Sequence, residues 1–233
     1  MTITLPRITG LAGICSAVAG AIFIGVQINH PPADVAHIAT TDLLIRESGK
    51  VVMAALAVAG ISGMFLRNRS RLGAVGLVGY VLLSVGYLAM FASECLVGYV
   101  LPVVARTDPR YAQAVIDAAV GHHPQVDIGH VQQLFMLMGM GYAFGGLLFG
   151  IALFRAGILS RWATVLLAYG TVSALALSAL PDSFNRPFAV PVGVALIGLG
   201  VSLWRNRDPE AATASSDVLL TGSQSRVPDP ALV

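Results

Sequence analysis

Charge is what this chain is short of. Only 11% of its 233 residues are Asp, Glu, Lys or Arg, less than half the share of about 25% carried by a soluble domain. That shortage excludes a water-facing surface over most of the chain. With 56% hydrophobic residues and a mean hydropathy of +0.77, bilayer burial is the natural reading. Cysteine is scarce as well. Cys15 and Cys95 are the two present, and counting along helices puts them at different depths, which argues against a disulfide between them. The net charge of +2 is small and comes from Arg gathered on one side. It lacks the clustered basic surface that nucleic acid requires, so no nucleic-acid partner is expected, whereas anionic lipid headgroups suit it. No P-loop, Gly-x-Ser-x-Gly, Cys-x-x-Cys or dinucleotide fingerprint occurs. Nucleotide-driven coupling within the chain is therefore not expected, nor is a cofactor.

What the chain does have is long apolar runs. A helix needs about 20 apolar residues to cross ~30 Å of hydrocarbon, and six runs meet or approach that length: Ile8–Ile28, Gly49–Leu66, Leu72–Val104, Ile128–Phe154, Trp162–Leu180 and Phe188–Trp204. The first is too long for the h-region of a signal peptide and has only Arg7 as a basic flank, so it reads as a spanning helix. The pattern predicts an all-α membrane bundle over residues 1–204 with six transmembrane helices, followed by a disordered cytoplasmic tail over 205–233.

The polar breaks differ in kind. Arg67-Asn-Arg-Ser-Arg71 and the stretch from Arg155 to Arg161 carry Arg and no acid, while the breaks between them carry His, Asp and Glu. Short basic loops stay in the cytoplasm, which predicts both termini inside and a bacterial plasma-membrane, multi-pass topology. At ~1.5 Å per residue, counting up from the inner arginines puts Gln27, Lys50, Glu94 and Gln133 in one layer near the outer boundary, with Glu47, Asp127 and His130 just above.

The outer segments should have structure of their own. His30-Pro-Pro32 ends the first helix, and Asp34 is placed to cap a short helix through Ile45. Asp108-Pro109 opens a second short helix over Arg110–Val120, whose Ala112, Val115, Ile116 and Ala119 share a face that lies on the bilayer or roofs the bundle. Two small-xxx-small frames, Gly141–Gly145 and Gly146–Gly150, together with Gly73, Gly76 and Gly79, are packing devices more than dimerisation motifs.

Glu94 is the most informative residue, because a carboxylate near hydrocarbon must face an interior and find a partner, and Lys50 is the one at its depth. Gln27, Glu47, Lys50, Glu94, His130 and Gln133 form the candidate ligand-binding set of a polar chamber, and Glu94 and Asp127 are candidate acids. His122, His123, Asp127 and His130 are weak metal candidates; Asp127 and His130 would share a helix face at i,i+3, and His30 and His37 could join, but no standard zinc spacing is present. Met136, Met138 and Met140 read as adaptable packing.

The stretch Gly145-Gly-Leu-Leu-Phe-Gly-Ile-Ala-Leu-Phe-Arg155-Ala-Gly-Ile-Leu-Ser160-Arg-Trp162 resembles the helix four to helix five junction of the DUF4386-type bacterial membrane proteins. The opening Arg7-Ile-Thr-Gly-Leu-Ala-Gly13 and the outer segment leading into Leu44-Ile-Arg46 are similar to them too. The resemblance implies topology and not chemistry, since that family has no established activity. Three function classes fit the chain: a binding or accessory protein for a small amphipathic or lipid-like ligand, a proton-coupled carrier using Glu94, and an intramembrane enzyme. The most concrete enzyme is an acid-initiated prenyl or terpene cyclase, with Tyr87, Phe91, Tyr99 and Phe135 lining its pocket. Membrane lipids and a hydrophobic small molecule are the partners expected; the sequence leaves the oligomeric state open.

Overall fold

The computed structural model describes residues 5–175, 187 and 189–206, and all regular structure among them is helical. The elements are α1 (Leu5–Gly25), α2 (Thr41–Cys95), a single π-helical turn (Leu96–Val100), α3 (Leu101–Thr107), α4 (Pro109–Ala119), α5 (Val131–Ala156), α6 (Arg161–Ser173) and α7 (Ala189–Arg205). Three continuous helical stretches among the described residues are long and apolar enough to cross a membrane: Leu5–Gly25, Thr41–Thr107 and Val131–Ala156. Ala189–Arg205 is a shorter apolar helix. The first two residues of the tail expected to be disordered are ordered, Arg205 ending α7 and Asn206 bonded back to the Ser202 carbonyl; the rest of that tail, 207–233, and the end of the run Trp162–Leu180 lie outside the described residues.

α2 is a hairpin. Gly73 has φ 58° and ψ −165°, a conformation essentially closed to any residue with a Cβ. The helix before it doubles back against the helix after it. Tyr80 stacks on Phe65 with ring centroids 4.5 Å apart, and its hydroxyl lies 3.0 Å from Ser62 Oγ. Further from the turn, Lys50 meets Glu94, and Ser48 Oγ lies 2.8 Å from the Tyr99 hydroxyl. The polar stretch from Arg67 to Arg71, expected as a break, is instead helical and belongs to the first arm. Arg, Asn and Ser are tolerated along a helix, and the reversal falls at the first glycine after them.

The other rods pack antiparallel in turn. α5 crosses the second arm of α2, with Gly141 against Gly86 and Leu82, and Gly145 against Leu83. On its other side, α5 meets α6 with Gly146 at Thr171 and Gly150 at Thr164 and Ala168. The two small-residue frames therefore serve two different neighbours, and both are spent inside the molecule. α6 packs on α7, α7 on α1, and α1 on the first arm of α2, which closes a ring. Ser16 Oγ in α1 donates to the Leu196 carbonyl of α7 at 2.8 Å. A lipid-facing apolar surface gains little by being buried, so close backbone approach and van der Waals contact hold such rods together. Consistent with this, large apolar residues such as Leu11, Val78, Phe144 and Val165 point outward while Leu83, Phe149, Leu167 and Leu199 are buried between helices.

At one end of the ring the connecting segments build a cap. Asp108 accepts from Tyr111 N at 3.0 Å and Pro109 opens α4, as its sequence requires. Ala112, Val115 and Ile116 are buried against a second apolar cluster that includes Ile38, Leu43, Leu101 and Phe135. α4 is therefore a roof over the helices and does not lie apart from them. Gln113 Oε1 accepts from Val35 N at 3.1 Å, tying the 30–40 segment to that roof. The short helix expected from Asp34 to Ile45 does not form as a unit. Asp34 caps only a turn, and the helix proper starts at Thr41 because Thr40 Oγ1 accepts from Leu43 N at 3.3 Å. The long helix expected through Val104 is widened at Leu96–Val100. Pro102 lies just beyond and can neither donate to nor fit against the carbonyl four residues back, a conflict that a π-turn relieves.

Candidate functional site

A cavity of about 460 Å³ lies beneath the roof, where the end of α1, the open end of the α2 hairpin and the first turns of α5 converge. Its body is apolar and soft, with Phe23, Met53, Met90, Phe135, Met138 and Tyr142 among its walls. Its head is ionic. Lys50, the chain's one lysine, donates to Glu47 Oε1 at 2.7 Å and to Glu94 Oε2 at 3.3 Å. Glu47 and Lys50 share the first arm of the hairpin at i,i+3, and Glu94 comes from the second. The side chains of Glu47, Lys50 and Glu94 are 2%, 14% and 17% exposed, so the cluster is sheltered and its charges are held by one another.

His30 completes the head. α1 ends at Gly25, and Asn29 takes a left-handed conformation (φ 51°), which Asn tolerates better than most residues. The chain then turns so that His30, 3% exposed, points at Glu47. His30 Nδ1 lies 2.8 Å from the Pro31 carbonyl. A carbonyl can only accept, so Nδ1 carries a proton, and in the neutral ring Nε2 is then a lone-pair acceptor. Nε2 lies 3.8 Å from Glu47 Oε1, beyond hydrogen-bond range. Among the described residues neither His30 Nε2 nor Glu47 Oε2 has a hydrogen-bond partner, although both atoms are buried.

Arg46 holds this turn in place. Its Nη1 donates to the carbonyls of Val26 (3.0 Å) and Ile28 (2.7 Å), the groups left without helical partners at the end of α1, and its Nε donates to Asp42 Oδ2 at 3.0 Å. At the mouth, Asp34 lines the cavity and accepts from the His37 ring at 2.6 Å. That hydrogen bond holds the Asp34 carboxyl below the ordinary carboxylate range.

Of the residues singled out in the sequence, Gln27, Glu47, Lys50 and Glu94 line this cavity, and Lys50 and Glu94 pair as anticipated. His130 and Gln133 do not join them. They are exposed and bond one another, His130 Nδ1 to Gln133 Oε1, at 2.8 Å. Asp127 is also exposed and accepts from Gly129 N at 2.8 Å in a local turn. α5 begins at Val131 and not at Ile128, because Gly129 is left-handed (φ 59°). Asp127 and His130 thus never share the helix face that their spacing suggested. His122 and His123 are exposed as well, and among the described residues no three His, Cys, Asp or Glu side chains are grouped to hold a metal. Of the aromatic set, Phe135 lines the cavity. Tyr87 is buried edge-on against Tyr142 at 5.6 Å, Phe91 faces outward and Tyr99 is bonded to Ser48. Met138 turns inward while Met136 and Met140 are exposed. Cys15 and Cys95 are both free thiols.

Two contributors had little sequence signal. His30 looked like one of several outer histidines, and Arg46 stood out only within the stretch Leu44-Ile-Arg46; the fold shows what each one touches. Compared with known proteins, the chain matches no family model, no curated protein and no solved structure.

Proposed function

We propose that this is a multi-pass protein of a bacterial plasma membrane that binds a small amphipathic, lipid-like molecule in the cavity beneath α4. In this reading the rods make six spans with both termini in the cytoplasm, a layout of the DUF4386 type. The Arg-bearing turn at Gly73 then faces the cytoplasm and the roofed end faces outward. The observation that carries the reading is the division of one cavity of about 460 Å³ into a soft apolar body and a sheltered ionic head. Volumes of ~300–1,000 Å³ suit drug-sized ligands, and methionine-rich walls adapt to a flexible chain.

A carrier or a cyclase would also need Glu94 as its acid. Binding is favoured over both because Lys50 already engages that carboxylate, and because Asp127, the other acid considered, is exposed and is not among the residues lining the cavity.

The test uses Gly139, which lines the cavity and at which an added Cβ meets nothing within 4 Å. Gly139→Phe should fill the space without disturbing the packing. Mass spectrometry of protein extracted under mild conditions should find a co-purifying small molecule in the native chain and not in this variant. Its equal presence in both would sink the proposal. Cysteine labelling at Ser70 and Gln125 from either side of intact cells tests the orientation separately.

A further inference from the structure

At the head of the cavity two acceptors are left without a donor. His30 Nε2 and Glu47 Oε2 are buried, and neither has a hydrogen-bond partner among the described residues. In the neutral ring, the Nδ1–H that the Pro31 carbonyl requires leaves Nε2 as an acceptor. Glu47 and Glu94 also share one lysine, Lys50, while Asp34 at the mouth is bonded to His37. Buried acceptors without donors are costly to leave unmet. Lys50 engages Glu47 through Oε1, which leaves Oε2 on the other side of the carboxylate.

From this geometry we propose that the ligand is an amine amphiphile, whose ammonium head donates to His30 Nε2 and Glu47 Oε2 while its chain lies against Met53, Met90 and Phe135. This rests on the binding reading above and narrows it to a chemical class. A phosphate-bearing head does not fit, because Lys50, the one lysine or arginine lining the cavity, is already engaged by two carboxylates. A carboxylate head would add an acceptor where donors are wanted. A quaternary ammonium head carries the charge but no N–H.

These distinctions give an experiment on the full chain in phosphatidylcholine nanodiscs. Dodecylamine, dodecyltrimethylammonium and dodecanoate are titrated, and bound probe is counted by native mass spectrometry alongside the thermal unfolding midpoint. Dodecylamine should bind once and raise the midpoint. The quaternary probe should bind about tenfold to a hundredfold more weakly, the scale of a lost charged hydrogen bond, and dodecanoate more weakly still. His30→Phe, which removes one acceptor, should erase most of the preference for the primary amine over the quaternary one. If all three probes bind alike, or dodecanoate binds best, the amine assignment is overturned while the binding reading stands. If none binds at all, and Gly139→Phe changes nothing, the binding reading falls with it. The comparison of probes needs no variant, so it decides the matter even if His30→Phe fails to fold.

Discussion

Lys50 Nζ lies 2.7 Å from Glu47 Oε1 on its own arm of the α2 hairpin and 3.3 Å from Glu94 Oε2 on the opposite arm. One ammonium therefore closes the open end of the hairpin and holds together two carboxylates that would otherwise repel in a sheltered place. Removing it should cost more than removing either partner. Lys50→Met is expected to destabilise the fold by ~3–5 kcal/mol, the penalty of uncompensated buried charge. Combining it with Glu94→Gln should recover part of that loss. A double-mutant cycle on unfolding midpoints in detergent measures the coupling, and additive losses would show that the two residues do not act as a pair.

The hairpin turn itself depends on one residue. Gly73 holds φ 58° and ψ −165° with nothing crowding its missing side chain, so any cost of substitution is conformational. Gly73→Ala should lower stability by ~1–3 kcal/mol, as expected for a residue forced into a region reserved for glycine. A neutral result in thermal unfolding would mean that the arms do not turn there.

Close approach governs the crossing of α5 over the second arm. A Cβ at Gly145 would lie 2.6 Å from Leu83 Cα and 2.7 Å from the Leu82 carbonyl carbon, both backbone atoms that cannot step aside. Gly145→Val should therefore be among the most damaging single changes, costing at least the ~1–3 kcal/mol typical of overpacking. Gly139→Val, on the same helix but facing open space, should be tolerated. Expression yield and midpoint of the two variants check the contrast.

Arg46 anchors the turn that presents His30. With its side chain 16% exposed and its guanidinium bonded to two helix-end carbonyls, Arg46→Ala should cost ~1.5–3 kcal/mol, the range for hydrogen bonds to a charged group. Its specific signature should be faster thiol labelling of Ile38→Cys, because Ile38 is buried against the cavity in the segment that follows the anchored turn. Unchanged labelling would remove Arg46 from the site.

Acid should loosen the mouth. The His37 hydrogen bond depresses the Asp34 carboxyl in the folded state, so its contribution is present above the ordinary carboxylate range and is lost as pH falls through the depressed value. Hydrogen exchange over residues 34–40 should therefore accelerate on acidification below about pH 4, the usual range of an Asp. Asp34→Asn should make that segment labile already at neutral pH and remove the pH step. A step of the same size in the Asn variant would assign it to another group.

Apolar period, helix caps and charge placement are local properties, and the sequence shows them plainly. The helical class, the capped start of α4 at Asp108-Pro109 and the pairing depth of Lys50 with Glu94 follow from counting residues, because helix rise is nearly constant and an ionic group near hydrocarbon must find a partner. The site's remaining content comes from tertiary structure. Which residue makes the hairpin turn depends on a backbone conformation open essentially to glycine alone, taken here by Gly73 just past the polar stretch. His130 and Gln133 have the right depth by count, yet the left-handed Gly129 starts α5 late and leaves His130 ahead of it, and Gln133 is exposed on α5 and does not line the cavity. His30 and Arg46 enter through contacts that span the α1–α2 connection, fixed by chain reversal and by carbonyls that a helix end cannot satisfy for itself. Depth is written along the chain; which faces meet at that depth is decided when the rods pack against one another.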